Sequence, residues 1–571
     1  MRPAASWLML PDAYQQSPGD WREEADPGTE GRFLNMTEAH DLSRRTFIKM
    51  MGAVSATSAM GLAACGSQRA SEAGGSSASG TADTITFAQG ADPRGLDPAY
   101  VDDGESAKIM IHIYENLVTY SDESCDVEPS LADSWEISDD GLTYTFHLHE
   151  GIKFHDGTDF NADAVVWAIS RELEPNRTDD MTYASFIYGT ASEGSGVESV
   201  TAVDDHTVAI KLVAVSAPFI KNLAMCVGSP LPAPVSDPST LMENPVGTGP
   251  YKFVSWDKGQ NVKLVANDDY WNDDRKAKTK NLIFRFITEN ASRVTALNNG
   301  EVDIIDGIDD SVADQITSGG DKLYSTDGMN INYMAFNCTT NSVCQDENVR
   351  KAIAKAVNVE EMVKSLYGDY ATVANSVMPT WMAPYDEDIV QTAYDPDAAK
   401  QELADLGVTS ITCITYSNSR PYNTKNGQTL AEAIQGYLSK VGVTMDITPY
   451  DWTTYKTKVQ TDPWDVCFYG WVGDNGDPDN FMNLLADATP TMNIAQFDDA
   501  EYKALIAEGA AETDEDKRND IYHQCEKIVA EKQPWLLVSH SADLYGYSPK
   551  LTGFVVHPTG VVRMWGATKS N

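Results

Sequence analysis

Three carboxylates crowd one short stretch, Gly470-Trp471-Val472-Gly473-Asp474-Asn475-Gly476-Asp477-Pro478-Asp479-Asn480-Phe481, behind an apolar run that ends in Val466-Cys467-Phe468-Tyr469. Glycine and proline at this density break regular structure, so Asp474, Asp477 and Asp479 are expected on an irregular loop at the end of a strand. Such a loop could address a metal, a proton in transit or a cationic ligand. An EF-hand calcium loop fails on spacing, because the third and fifth positions from Asp474 are Gly476 and Pro478. A general acid/base pair fits the composition, but no partner nucleophile or metal motif stands out elsewhere. Asp477 and Asp479, on either side of Pro478, read as a solvated turn. Asp474 differs: with Trp471 and two glycines close by, it can receive an ammonium group while an indole face shields the pair from water.

The elements that must position this loop are α/β in character. Thr84 to Ala88 alternates as a short strand, and Glu105 to Tyr120 has helical apolar spacing. Trp135 to His149 reads as a hairpin around an Asp-Gly turn. His147 and His149 share one face of its second strand and, with His155 nearby, could ligate a metal, but Thr143 and Thr145 share that face, so a polar stripe is the preferred reading. Asn161 is placed to cap a helix that begins at Ala162. Val246-Gly247-Thr248-Gly249-Pro250-Tyr251 lacks both the P-loop and the dinucleotide pattern and reads as a chain crossing between lobes. Residues 282–310 predict a strand, a helix and a second strand in a parallel unit, and the same grammar recurs at 411–416, 429–440, 444–448, 466–469 and 499–531. No G-x-S-x-G elbow and no H-E-x-x-H occurs, so the sequence offers no enzyme signature and no cofactor motif.

The chain has 571 residues, 42% hydrophobic and 22% charged, which suits two or more globular domains. Its net charge of -43 excludes a nucleic-acid partner, which needs a basic footprint, and is read as serving solubility. The eight cysteines contain no C-x2-C pair; only Cys338 and Cys344 are close enough in sequence to suggest a small loop disulfide. Residues 1–35 read as neither domain nor targeting sequence, and translation is expected to start at Met36. From there Ser43-Arg44-Arg45-Thr46-Phe47, a weakly apolar run and Leu62-Ala63-Ala64-Cys65 look like a twin-arginine signal ending in a lipobox. Arg44 and Arg45 would remain cytoplasmic, Cys65 would carry the lipid, and residues 66–83 would be a flexible tether.

Several stretches together carry a family resemblance: Gly141-Leu142-Thr143-Tyr144-Thr145-Phe146, Gly151-Ile152-Lys153-Phe154-His155-Asp156-Gly157, Phe160-Asn161-Ala162-Asp163-Ala164-Val165, Val246 to Tyr251 and Val349-Arg350-Lys351-Ala352-Ile353. The chain resembles the dipeptide- and oligopeptide-binding receptors of ABC importers, and Arg420-Pro421-Tyr422-Asn423 followed by Gly470 to Asn480 looks most like the dipeptide-binding branch. The resemblance implies an α/β, two-lobed clamp with a small α/β domain inserted in the first lobe. The expected parts are a first lobe of 84–126, 245–328 and 541–571, an inserted domain of 127–244 and a second lobe of 329–540. It also implies a monomeric receptor, anchored through Cys65 outside the membrane, that delivers short peptides to permease subunits. By motif, Asp474 would take the peptide ammonium and Arg420 its carboxylate, with Trp452, Trp471 and Tyr422 lining the side-chain pockets. The twin-arginine lipoprotein signal and the cysteine pattern depart from the enterobacterial type, which bears on export and not on the clamp.

A fixed anion and a fixed cation make a ruler for a zwitterion, since each added residue moves the carboxylate by ~3.5 Å. Arginine suits the carboxylate end because its planar fork pairs bidentately. The same fold with longer peptides, a nickel chelate, haem or a sugar is the alternative, because one architecture hosts several ligands. A peptidase is the rival class and lacks a visible nucleophile or metal site.

Overall fold

The computed structural model describes residues 82–571, so the expectations for residues 1–81, including Arg44, Arg45 and Cys65, lie outside the described residues. One sheet organises the molecule. Its strands follow the order Thr444–Tyr450, Ser410–Tyr416, Val466–Val472, Asn330–Phe336, Trp535–Tyr547, Ile304–Ile305, Thr84–Gln89, Asn281–Phe286, Asn261–Ala266, Tyr251–Asp257. Trp535–Tyr547 is shared by two halves. Residues 535–539 pair antiparallel with Asn330–Phe336, and residues 542–547 pair with Lys322–Asp327. The two halves are the lobes of a mixed α/β fold, and the chain passes between them at Asp327–Asn330 and again along this strand.

The expected elements are largely present. The run at 466–472 is a strand whose first five residues are buried, paired over seven positions with Asn330–Phe336. The hairpin forms from Ala132–Ile137 and Thr143–Leu148, and Gly141 supplies the positive φ of its turn, +70°. It belongs to a separate four-stranded sheet with Thr207–Leu212 and Val197–Asp204. Asn161 caps Ala162–Ser170, accepting from the Ala164 N–H at 3.0 Å. Asn281–Phe286 and Ile304–Ile305 are parallel as expected, but Thr84–Gln89 lies between them and pairs with both.

Two expectations are corrected. The helix expected over 105–120 is Gly104–Met110 only, and Val118–Tyr120 is a strand. Beyond Met110 the backbone bonds elsewhere: the His112, Ile113 and Glu115 carbonyls accept from Tyr251, Gly249 and Leu231, each at 2.9 Å. Tertiary partners thus take the groups a helix would have used. Second, Val246–Tyr251 does not pass between the lobes. It leads from beside the four-stranded sheet, where Gly247 meets His155, to the edge strand Tyr251–Asp257. Glycine is required there, because a Cβ on Gly247 would lie 2.1 Å from the Ile113 carbonyl oxygen. The loop disulfide that spacing alone suggested is not formed: Cys338 and Cys344 are free thiols, like the other five described cysteines. Cys344 is buried in the short turn Val343–Gln345, while the Cys338 thiol donates to the Phe336 carbonyl at 3.5 Å. Burial pushes the Cys338 thiol up to about 11. The helical expectation at 499–531 is met by two helices, Ala500–Ala511 and Glu515–Lys532, separated where Asp514 caps the second.

Candidate functional site

The loop after Val466–Val472 is far more ordered than its composition implies. Its first N–H, from Gly473, donates to the Met329 carbonyl at 2.7 Å, which fixes the loop against the crossing between the lobes. Asp477 is fully buried and caps the short helix Pro478–Met482, accepting from the Asp479 N–H at 3.0 Å. The solvated turn is therefore corrected: Asp-Pro-Asp is a cap followed by proline in the first helical turn. Both Asp477 oxygens accept from Arg518, at 2.7 Å each, and Arg518 also donates to the Gly509 carbonyl at 2.8 Å. Burial works to raise the Asp477 pKa, but the Arg518 pair outweighs it and holds the carboxyl below its ordinary value. Asp479, half-buried, accepts from the Tyr522 hydroxyl at 3.2 Å, and burial followed by repulsion from Asp477 lifts it to about 6.

Among the described residues Asp474 has no such cation. Its Oδ1 accepts from the Tyr183 hydroxyl at 2.7 Å and its Oδ2 from the Asn480 Nδ2 at 2.9 Å. Burial raises its pKa, opposed by Asn480 and Tyr183. Asn480 also accepts from the Asp474 N–H at 3.1 Å and from the Trp471 Nε1 at 2.9 Å, so Asp474 and Trp471 are joined through it. Next to Asp474, Asn475 Nδ2 donates to Asn222 Oδ1 at 2.7 Å and Lys221 Nζ to the Gly476 carbonyl at 3.3 Å. The loop thus meets residues of the segment that carries the four-stranded sheet. A cavity of about 700 Å³, its open side included, lies beside Asp474, with Glu115, Tyr120, Arg275, His557 and Trp565 among its walls.

Arg420 follows Ser410–Tyr416 on a turn closed by its own N–H and carbonyl, each bonded to Asn423 at 2.9 Å. It is buried, and its guanidinium lies 4.2 Å from the centroid of the Trp452 ring. Trp452 begins the helix Trp452–Thr461 and packs on Tyr416 and Tyr469, with centroids 5.3 Å away in both cases. Tyr422 is buried edge-on to Tyr416 at 6.4 Å. It packs closely on Gly470, where a Cβ would come within 2.2 Å of its ring. The structure therefore groups Arg420 with Trp452, Tyr422 with the strand that carries Trp471, and Asp474 with Trp471. Tyr183, Asn480, Asn423 and Arg518 were not singled out in the sequence. Asn480 stands in the loop motif itself; Tyr183, 291 residues from Asp474, carries no local signal.

The histidine stripe is as read: Tyr144, Phe146 and Leu148 are buried while Thr143, Thr145 and His147 are half-buried. His155 accepts from the Gly247 N–H and so donates through Nε2 to the Gly249 carbonyl at 2.9 Å, a structural tie between two loops. Burial lowers its pKa to about 4. Among the described residues no group of three or more His, Cys, Asp or Glu is placed to hold a metal.

Two lobes joined by crossing strands, with the Asp474 loop packed against the crossing, define the fold of a solute-binding clamp. The chain belongs to the bacterial extracellular solute-binding proteins, family 5, whose profile matches residues 126–493. It is 32% identical over 514 residues to heme-binding protein A of Haemophilus influenzae, covering 85% of this chain and 92% of that one. To the dipeptide-binding protein of Pseudomonas aeruginosa it is 33% identical over 507 residues, covering 85% and 94%. The solved structure of HbpA2 from Haemophilus parasuis superposes with a TM-score of 0.78 at 28% identity, over 86% of this chain and all of that one. Members of this family are binding proteins and not enzymes. No helix among the described residues is long and apolar enough to cross a membrane.

Proposed function

We propose that the protein is the substrate-binding receptor of an ABC importer that captures dipeptides outside the membrane and delivers them to the permease. One observation carries the reading. The Asp474 carboxylate is held by two neutral donors with no lysine or arginine paired to it among the described residues, so its charge is left for a cationic ligand. A half-buried anion without a cation is costly, and a peptide ammonium is the compensation a clamp can supply on closing. Arg420, presented over Trp452, takes the peptide carboxylate in this reading, and Trp452, Trp471 and Tyr422 wall the side-chain space. The relative named as dipeptide-binding supports it. The relative named as heme-binding has similar identity, so ancestry alone does not choose the ligand.

Thermal denaturation with free amino acids, di-, tri- and pentapeptides, nickel and haem tests the assignment, because a ligand that binds only the folded state raises the midpoint. A rise for dipeptides and not for the others is expected. A rise only for haem, nickel or longer peptides would remove Asp474 and Arg420 from these roles. The expected segments 84–126 with 245–328 and 541–571, 127–244, and 329–540 remain our proposed division into lobes and insert. We further propose that Arg44 and Arg45 direct twin-arginine export and that the lipid on Cys65 anchors a monomeric receptor. Cys65→Ser is then expected to move the protein from the membrane to the soluble fraction; unchanged fractionation would count against the anchor.

A further inference from the structure

We propose that Asn480 is a positioning residue that makes the site selective for a free ammonium group; the inference rests on the assignment of Asp474 above. One side chain makes three contacts at the candidate site. Its Oδ1 accepts from the Asp474 N–H at 3.1 Å and from Trp471 Nε1 at 2.9 Å, while its Nδ2 donates to Asp474 Oδ2 at 2.9 Å. The side chain is itself buried, 8% exposed, and stands on the helix Pro478–Met482. That helix is anchored by the Asp477 cap and the Arg518 pair, so the amide is delivered from a rigid support.

The chemistry requires an amide. A carboxylate at 480 would keep both acceptor contacts but set a second negative charge against Asp474 Oδ2, and an aliphatic side chain would leave the indole N–H and the Asp474 N–H without their acceptor. With Asn480 in place, Asp474 cannot turn its Oδ2 away. Tyr183, from the segment that carries the four-stranded sheet, holds Oδ1 in the same manner. Both donors are neutral, so the carboxylate is fixed in direction without being neutralised. That separates Asn480 from Arg518, which fixes Asp477 by cancelling its charge. The indole of Trp471 is fixed by the same amide, so the anion and the aromatic wall beside it keep one relative orientation.

The test compares two ligands by calorimetry on the full chain: alanyl-leucine, and propionyl-leucine, which lacks only the ammonium. The unaltered protein is expected to prefer alanyl-leucine by ~100-fold, the scale of one buried charge-assisted contact. Asn480→Leu is expected to weaken alanyl-leucine ~10- to 100-fold while leaving propionyl-leucine within a few-fold, so the preference collapses. A merely structural role would weaken both ligands alike, and that result, or an unchanged preference, overturns the inference. Where Asn480→Leu does not fold, Asn480→Ser, small enough to admit water to the two orphaned N–H groups, is read by the same ratio. Asp474→Asn separates the two failures. If it abolishes the preference while the Asn480 variants keep it, Asn480 has no such role and the function stands. If it leaves the preference intact, the assignment of Asp474 falls and the inference with it, as both do if the unaltered protein binds no alanyl-leucine.

Discussion

Asp474→Asn is expected to weaken dipeptide binding by a few kcal/mol, about 2–5, while leaving the free protein at least as stable as before. The two effects separate because the substitution removes a charge but little packing. An asparagine oxygen can still accept at this position, and the desolvation that raises the Asp474 pKa disappears with the carboxylate. What is lost is the anion that an ammonium needs. The unaltered site should also lose affinity in acid: the ionised form binds, its pKa is raised, and protonation therefore begins at a higher pH than for an ordinary aspartate. Calorimetry across pH reads both effects. Unchanged affinity in Asp474→Asn would end the case for this residue.

Arg518→Met should cost folding stability on the order of 3–5 kcal/mol, the usual consequence of leaving one member of a buried ion pair behind. Asp477 is fully buried and Arg518 supplies a donor to each of its oxygens. The pH dependence identifies the mechanism. In the unaltered protein the Asp477 pKa is lowered, so its contribution is present above the unfolded value and is lost as pH falls through the folded one. Without Arg518, burial, the largest single influence, is opposed only by Lys221 and the Asp479 N–H, so that pKa rises and the group's stabilising contribution at higher pH shrinks. The gap between the two proteins must therefore widen as pH rises. Asp479 runs opposite to Asp477 already: raised to about 6, it favours folding below its unfolded pKa and loses that contribution as pH climbs through about 6. Denaturant unfolding at several pH values, with Arg518→Met/Asp477→Asn as the compensated double variant, tests this. A gap that does not change with pH, or no recovery in the double variant, would point to lost packing instead.

The sequence revealed what depends on local chemistry. Alternation marked Thr143–Leu148 and its faces, Asp-Gly marked the hairpin turn, and Asn161 marked a helix start. The Gly470 to Phe481 stretch is legible as a loop at the end of a strand because glycine, proline and carboxylates cluster there. Misreadings arose where distant partners decide. Residues 111–117 have helical spacing, yet their carbonyls are taken by Leu231, Gly249 and Tyr251. Asp477 looked solvated because its counter-ion, Arg518, lies on a helix 41 residues away. Tyr183 left no trace near Asp474, since only the folded chain brings them together. Asn480 is the instructive intermediate: it was in view within the motif, but its role depends on hydrogen-bond directions that composition does not encode.

The strand Trp535–Tyr547 has a consequence for modularity. Both lobes draw backbone hydrogen bonds from this one segment, residues 535–539 serving one and 542–547 the other. Neither lobe can be cut out as an independent unit, because removing either leaves the shared strand with bare N–H and C=O groups along half its length. The clamp is therefore expected to fold as one unit. The lobes stay coupled through the backbone of this one strand.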